Sequence, residues 1–533
     1  HFPVGNRIIS GVSLGVVAVE CGVRSGTMTT VRQALDQDRD VFAVTLETGD
    51  YVGLVWYSFR LEGLDGRREE LGPFQLTVYD GAEEVPAWFG EGVTYQIFPD
   101  RFRRTRVPDP TGMVGGRSVH TGWEEEPVYR PDGTLEEMRI REGSGAPELV
   151  RKRVVEDMNK SYFPVKTIVP STEIVHDRVM LEVFRGCIRG CRFCQAGYAY
   201  RPVRPRNPQR LVQQGIEACR DSGYQEMTLS SLSTSDYRAL EGLCDGLLEW
   251  CEPNKVSLSL PSLRADNFSL GLMERVQHVR KSGLTFAPEA GTQRLRDAIN
   301  KNVTEEEILR SCRTAFSGGW SSVKLYFMLG LPTETDEDVL GIAELAEKVY
   351  KAWKECTPNP KRGVTITVST ACFVPKPHTA FQWDAQIPRE EYQRRVNLLR
   401  DALKRDRSIT YNWHDPETSY LEAVFSRGDR RLADVLEWAW QHGAKFDSWS
   451  EYFDFQRWMD ALKACNLDGD FYAHRVREKD EVFPWSVPSV GVSRQFLWHE
   501  RELCYQSQTT PDCRTRCSGC GANKFLPGGV CNG

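Results

Sequence analysis

The stretch Arg185-Gly186-Cys187-Ile188-Arg189-Gly190-Cys191-Arg192-Phe193-Cys194 follows directly on a β-type apolar run at 179–184. It places three cysteines at the spacing Cys-x3-Cys-x2-Cys in a compact loop at a strand end, where their thiolates converge. Thiolates are the ligands of iron–sulfur clusters and of zinc. A closed zinc site asks for four ligands, and no fourth Cys or His sits nearby in the sequence. Three ligands on a four-iron cluster leave one iron open, which makes such a cluster a place where a reaction happens.

Working outward, the same run opens a series. Short β-type stretches at 179–184, 226–231, 256–260, 284–287, 323–329 and 364–369 alternate with helical patterns. Several helix starts are legible. Asn207-Pro208 offers an N-cap followed by Pro at the first helical position. Thr304 with Glu307, and Thr335 with Asp338, have capping-box spacing. Six β-α units in a row predict an α/β fold, a parallel sheet curled into a partial (β/α)6 barrel over 143–385. Active sites of such sheets form at the C-terminal strand ends, where the cysteine loop lies.

Composition agrees with a globular chain and narrows its partners. The 533 residues predict about three domains at roughly 150 residues each. Hydrophobic residues at 40% and charged ones at 27% exclude wholesale disorder. With 68 basic and 74 acidic side chains the net charge is −6, which argues against a general nucleic-acid-binding surface. Sixteen cysteines are too few for a disulfide scaffold and many for an ordinary cytosolic enzyme, so metal is the expectation. No run of 18 apolar residues is present. The nearest imitation of a signal peptide, at 8–19, is interrupted by Ser and Gly and followed by Glu20. A cytoplasmic, reducing compartment is expected, with the true start upstream of His1.

The loop, with an aromatic residue before its last cysteine, resembles the fingerprint of the radical S-adenosylmethionine (SAM) superfamily. The resemblance implies a 4Fe-4S cluster on Cys187, Cys191 and Cys194, with Phe193 as the aromatic. SAM would chelate the open iron, and one electron would cleave its C–S bond to a 5′-deoxyadenosyl radical. It also implies roles at later strand ends. Ser231 stands where the superfamily has a polar loop for the SAM amino group, although the usual Gly-Gly-Glu is not present. Ser262 and Arg264 are candidates for the ribose and carboxylate. Glu289, in Pro288-Glu289-Ala290-Gly291, is an acid at a strand end, with a helix N-cap as its alternative reading. Gly330-Leu331-Pro332 resembles the adenine-binding Gly-x-Pro turn. The words 195–197, 230–236, 288–291 and 324–334 resemble a family of cobalamin-binding-domain radical SAM proteins across about 143–533. That family carries its cobalamin domain before the barrel, whereas no Asp-x-His-x-x-Gly motif occurs in this chain. The implied partners are a reductant such as flavodoxin or ferredoxin and a substrate the sequence does not name. No membrane and no nucleic acid is expected.

The flanks have other characters. Residues 1–45 read as strand–helix–strand and resemble a fragment of the nucleotide-fold domain of the bacterial DNA-processing protein of natural transformation. Residues 46–133 alternate like a β-sandwich, and the words at 85–90 and 93–102 resemble the α-amylase/neopullulanase family. That family's catalytic carboxylates never follow, so Asp100 and Arg101 are read as structural. Past 385 the chain reads as a helical extension over 386–533, with Trp438, Trp440 and Trp458 as core. It ends in Cys513-x3-Cys517-x2-Cys520, which repeats the first spacing. Cys531 is the expected fourth ligand and Cys504 the reserve, for an auxiliary 4Fe-4S cluster or a zinc ion. Two other readings stand beside an enzyme: a non-catalytic iron–sulfur or zinc protein, and a fusion mosaic whose N-terminal fragments are passengers.

Overall fold

The computed structural model describes residues 129–136, 149–167, 169–170, 174–260, 284–404 and 406–526, positions 271 and 276, and the backbone of short strands before 138. Ser262, Arg264, Cys531 and the amylase-like words at 85–102 lie outside the described residues. The chain divides into two compact units, one of residues 1–93 with 220–223, the other of 94–219 with 224–533.

In the first unit, Gly15–Val19 and Asp40–Val44 pair in parallel, with Gly15 opposite Asp40 and Val19 opposite Val44. Parallel neighbours need a crossover connection, the arrangement read from the strand–helix–strand pattern. The helix expected at 29–37 lies outside the described residues. Gly53–Glu62 and Arg68–Val78 form an antiparallel pair with one register shift between Tyr57 and Phe59.

In the second unit all six expected barrel strands form. They are β1 (Val179–Glu182), β2 (Glu226–Ser230), β3 (Ser257–Ser259), β4 (Leu284–Glu289), β5 (Ser322–Leu329) and β6 (Thr365–Cys372). A further strand, β7 (Ile409–Trp413), pairs in parallel with β6 and corrects the reading of everything past 385 as helical. It is short, and only Ile409 at its start is buried, so its apolar pattern is weak. The strands form two parallel sheets of order β1-β2-β3 and β4-β5-β6-β7. Along β5, Val323, Leu325, Phe327 and Leu329 are buried while Ser322 and Tyr326 are exposed, the period-two pattern of a strand.

Helices follow the strands where their caps predict. Asn207 Oδ1 accepts from Arg210 N–H at 3.1 Å ahead of the helix Pro208–Ser222. Thr304 with Glu307, and Thr335 with Asp338, close reciprocal capping boxes on Glu305–Ser317 and Asp336–Cys356. Each such cap is worth about 1 kcal/mol. Beyond the sheets, Pro416–Arg427, Leu432–Gln441 and Phe455–Ala464 enclose a separate apolar core around Tyr420, Val424, Val435 and Leu462. Trp438 and Trp458 pack against that core as expected, but Trp440 is 63% exposed. Among the described residues no helix is long and apolar enough to cross a membrane.

Candidate active site at the strand ends

The cysteine loop leaves β1 through Phe184–Arg185, which pairs with Arg204–Pro205 to close the loop at its base. Inside it, Cys194 N–H donates to the Cys191 carbonyl at 3.1 Å, and Cys194 caps the helix Gln195–Ala199 with its own sulfur. That sulfur accepts from Gly197 N–H at 3.3 Å, and Cys187 Sγ accepts from Arg189 N–H at 3.4 Å. Hydrogen bonds of this kind stabilise thiolate over thiol. Burial opposes them. Together with the neighbouring Cys191 it pushes the Cys187 thiol up to about 12 and raises the Cys194 thiol as well. Burial thus disfavours the bare thiolates, a cost that a bound cation would offset. Three thiols on one loop, two already receiving backbone N–H groups, form the donor set an iron–sulfur cluster takes. Among the described residues no three Cys, His, Asp or Glu side chains are gathered around one point as a lone ion needs.

The loop is held from several sides. Arg192 N–H donates to the Ile299 carbonyl and its carbonyl accepts from Ala380 N–H. Asn300 Nδ2 donates to the Gly190 carbonyl at 3.0 Å. The Arg192 side chain is fully buried and pairs with Glu500 at 3.0 Å. Arg189 pairs with the buried Asp236 at 2.5 Å, which ties the loop to the turn after β2.

Loops after different strands meet beside Phe193. One apolar cluster joins Ala290 after β4, Leu331 after β5, and Phe373 and Phe381 after β6, with Phe193 packed against it. Glu289 closes β4 at φ 69°, and Lys301 Nζ lies 3.2 Å from its Oε1 and 6.0 Å from the Phe193 ring centroid. The helix Gln293–Ala298 is capped by Thr292, so Glu289 is not its N-cap and the alternative reading falls. Gly330 sits at φ 92°, and a Cβ there would meet Ile387 Cγ1 at 2.8 Å. Only glycine takes that backbone without strain. The turn is fixed by Gly330 N–H donating to Glu334 at 2.6 Å. Ser231 hydrogen-bonds Thr234 at 2.8 Å and lies on the loop that Arg189 engages through Asp236.

Cys187, Cys191, Cys194, Phe193, Glu289 and the Gly330 turn are thus assembled at one end of the sheets. The sequence reading missed Lys301, Arg189, Asp236 and Glu334, whose only sequence signal is a charge in a loop near a strand end. Cys504 is fully buried in the cluster with Leu331 and Phe381, so the reserve ligand is a core residue, its thiol pushed up to about 12 by burial.

A sulfur-lined loop thus stands at the first strand end of a parallel α/β sheet, with later strand ends folded onto its aromatic. Residues 181–346, from β1 past the Gly330 turn, match the radical SAM superfamily. Residues 1–51 match DNA recombination-mediator protein A. An uncharacterised protein of Methanocaldococcus jannaschii is 32% identical over 264 residues, 49% of this chain and 54% of that protein. DNA processing protein DprA of Bacillus subtilis is 57% identical over 44 residues, 8% of this chain and 15% of that protein. Among solved structures, the radical S-adenosylmethionine methyltransferase TsrM of Kitasatospora setae is similar at a TM-score of 0.29 and 14% identity, covering 36% of this chain and 35% of that one. The chain spans about half the length of the first of these relatives and less of the others.

Proposed function

We propose that this chain is a radical SAM enzyme that holds a 4Fe-4S cluster on Cys187, Cys191 and Cys194 and cleaves SAM reductively. The observation that carries the reading is the three-thiol loop at the end of β1, with the loops after β4, β5 and β6 packed against its Phe193. When bound, the cluster supplies one electron to the SAM C–S bond and so gives a 5′-deoxyadenosyl radical. The chain's own residues bind, orient and shield. Phe193 and Leu331 form an apolar wall that keeps water from the reacting end. Glu289 and Lys301 present one charge of each sign beside Cys194, suited to a ligand that carries both an amino group and a carboxylate. The backbone at Gly330, held by Glu334, lets a flat ring approach without a side chain in the way. Ser231 is the polar group offered by the loop after β2. A flavodoxin- or ferredoxin-type protein is the electron source that fits, and the site lies in a reducing compartment.

The reading is tested by EPR of the anaerobically reconstituted, reduced protein with and without SAM. A spectrum that shifts on adding SAM supports an open iron. A full iron load whose spectrum ignores SAM favours the structural iron–sulfur alternative.

A further inference from the structure

The C-terminal extension reaches the cysteine loop through Cys513, whose N–H donates to the Ile188 carbonyl at 3.1 Å. It also walls a cleft of about 760 Å³ against the segment after β6. Small-molecule sites run from roughly 300 to 1,000 Å³, so the cleft has their size. The segment after β6 contributes His378 and Gln382, and the extension contributes Phe483, Trp485, Val490 and Arg494. That segment is fixed to the cysteine loop at two points. Gln195 Nε2 donates to the Pro377 carbonyl at 3.1 Å, and Ala380 N–H donates to the Arg192 carbonyl at 3.2 Å. Its side chains divide between two faces. Phe381 packs with Phe193 at the strand ends, while Trp383 packs in a different cluster with Phe483. The cleft lies on the Phe483 side and is separate from the candidate SAM site.

Its polar groups are donors left uncommitted. Gln382 is 4% exposed, and its Oε1 accepts from His378 N–H at 3.1 Å and from Trp485 Nε1 at 2.8 Å. Two donors on one oxygen fix the orientation of the amide, and Nε2 then has no hydrogen bond among the described residues. A buried donor without a partner is unfavourable, so a ligand that accepts from it is favoured. The His378 ring likewise makes no hydrogen bond among the described residues, and its backbone stands at φ 60°, in the left-handed region. Burial pulls its pKa below the usual histidine value, so the ring is neutral at pH 7 and carries one N–H. Arg494 gives one Nη to the Lys479 and Glu481 carbonyls and leaves Nε and the other Nη without hydrogen bonds among the described residues. Its guanidinium lies 4.5 Å from the Phe483 ring centroid, and the Phe483 and Trp485 centroids are 4.9 Å apart. Among the described residues no Asp or Glu lines the cleft. The nearby Glu481 carboxylate is held by Arg475, and Asp480 is exposed.

We propose that this cleft is a second ligand site, for a small organic anion with a flat apolar body, of the aromatic carboxylate class. Arg494, His378 and the Gln382 amide meet the negative group, because hydrogen bonds to an ionised acceptor are the strong ones. Phe483, Trp485 and Val490 take the ring, which gains both from burial and from offset or edge-on aromatic contact. The site goes beyond the radical SAM reading and stands without it.

The test uses the full chain with para-trifluoromethylbenzoate as the probe, followed by fluorine NMR. The wild type is expected to bind it saturably, about tenfold more tightly than the uncharged para-trifluoromethylbenzamide, and to keep it when SAM is in excess. His378→Asn breaks no hydrogen bond of the ring and keeps a residue that tolerates the left-handed backbone. It is expected to weaken the probe by about tenfold, the scale of one hydrogen bond to a charged group. Val490→Trp fills the cleft and is expected to abolish binding. No saturable binding by the wild type, equal affinity for the benzamide, displacement by SAM, or wild-type affinity in either variant overturns the site.

Discussion

Arg192, between the second and third cysteines of the first loop, is fully buried and pairs with Glu500 on the helix Arg494–Tyr505, 308 residues away. Its other donors reach the Ala298 and Gln508 carbonyls, and Thr510 completes the group by donating to Glu500 at 2.8 Å. The Arg192 guanidinium thus ties the C-terminal extension to the cysteine loop. Removing one partner of a buried pair leaves the other charge uncompensated, which costs about 3–5 kcal/mol. Glu500→Ala is expected to lower the stability of the metal-free protein by that amount in chemical denaturation. A loss within the range of an exposed pair, below about 1 kcal/mol, contradicts the account of this contact.

Glu289 and Lys301 are expected to act on SAM and not on iron. Glu289→Gln keeps the shape and removes the charge, so the iron content stays at the wild-type level while SAM affinity falls by about tenfold, about 1.4 kcal/mol. Equilibrium binding of SAM to the unreduced protein reads this. Wild-type affinity in Glu289→Gln removes the residue from the site.

Gly330→Ala places a methyl group 2.8 Å from Ile387 Cγ1 at a left-handed backbone position. The backbone alone costs roughly 1–2 kcal/mol, and the clash adds to it. The turn then gives way, and SAM binding is expected to weaken more than thermal stability predicts. If stability and SAM binding are both unchanged, the turn does not carry the ligand.

Much of this site is legible in the sequence because its signals are local. Cys-x3-Cys-x2-Cys fits in eight residues, and the boxes of Thr304 and Thr335 each close within one helical turn. What escaped depends on distance along the chain. No pattern around Arg192 announces Glu500, and none around Cys513 announces Ile188. Lys301 reaches Glu289 only because the helix Gln293–Ala298 turns the chain back. β7 went unread because only Ile409 of its five residues is buried. Cys504 was read as a spare ligand from its residue type, while its helix face carries it into the apolar core.

Acid should loosen the segment behind the Gly330 turn. Hydrogen bonds from Arg394, and then from Arg395, hold the Glu391 carboxyl down at about 2, and Arg395 also pairs with Glu334. Because the folded value lies below the ordinary 4.5, the stability Glu391 contributes is present above about pH 4.5 and lost as pH falls towards about 2. Glu391→Gln is expected to be less stable than wild type at neutral pH and to show a shallower loss across that window. Denaturation midpoints at several pH values decide it, and parallel curves for the two proteins contradict the assignment.

The most direct test of the central claim is product analysis after dithionite reduction of the reconstituted protein with SAM. The account predicts 5′-deoxyadenosine from the wild type and none from Cys191→Ala. A wild-type protein with its full iron load that forms no 5′-deoxyadenosine would contradict it.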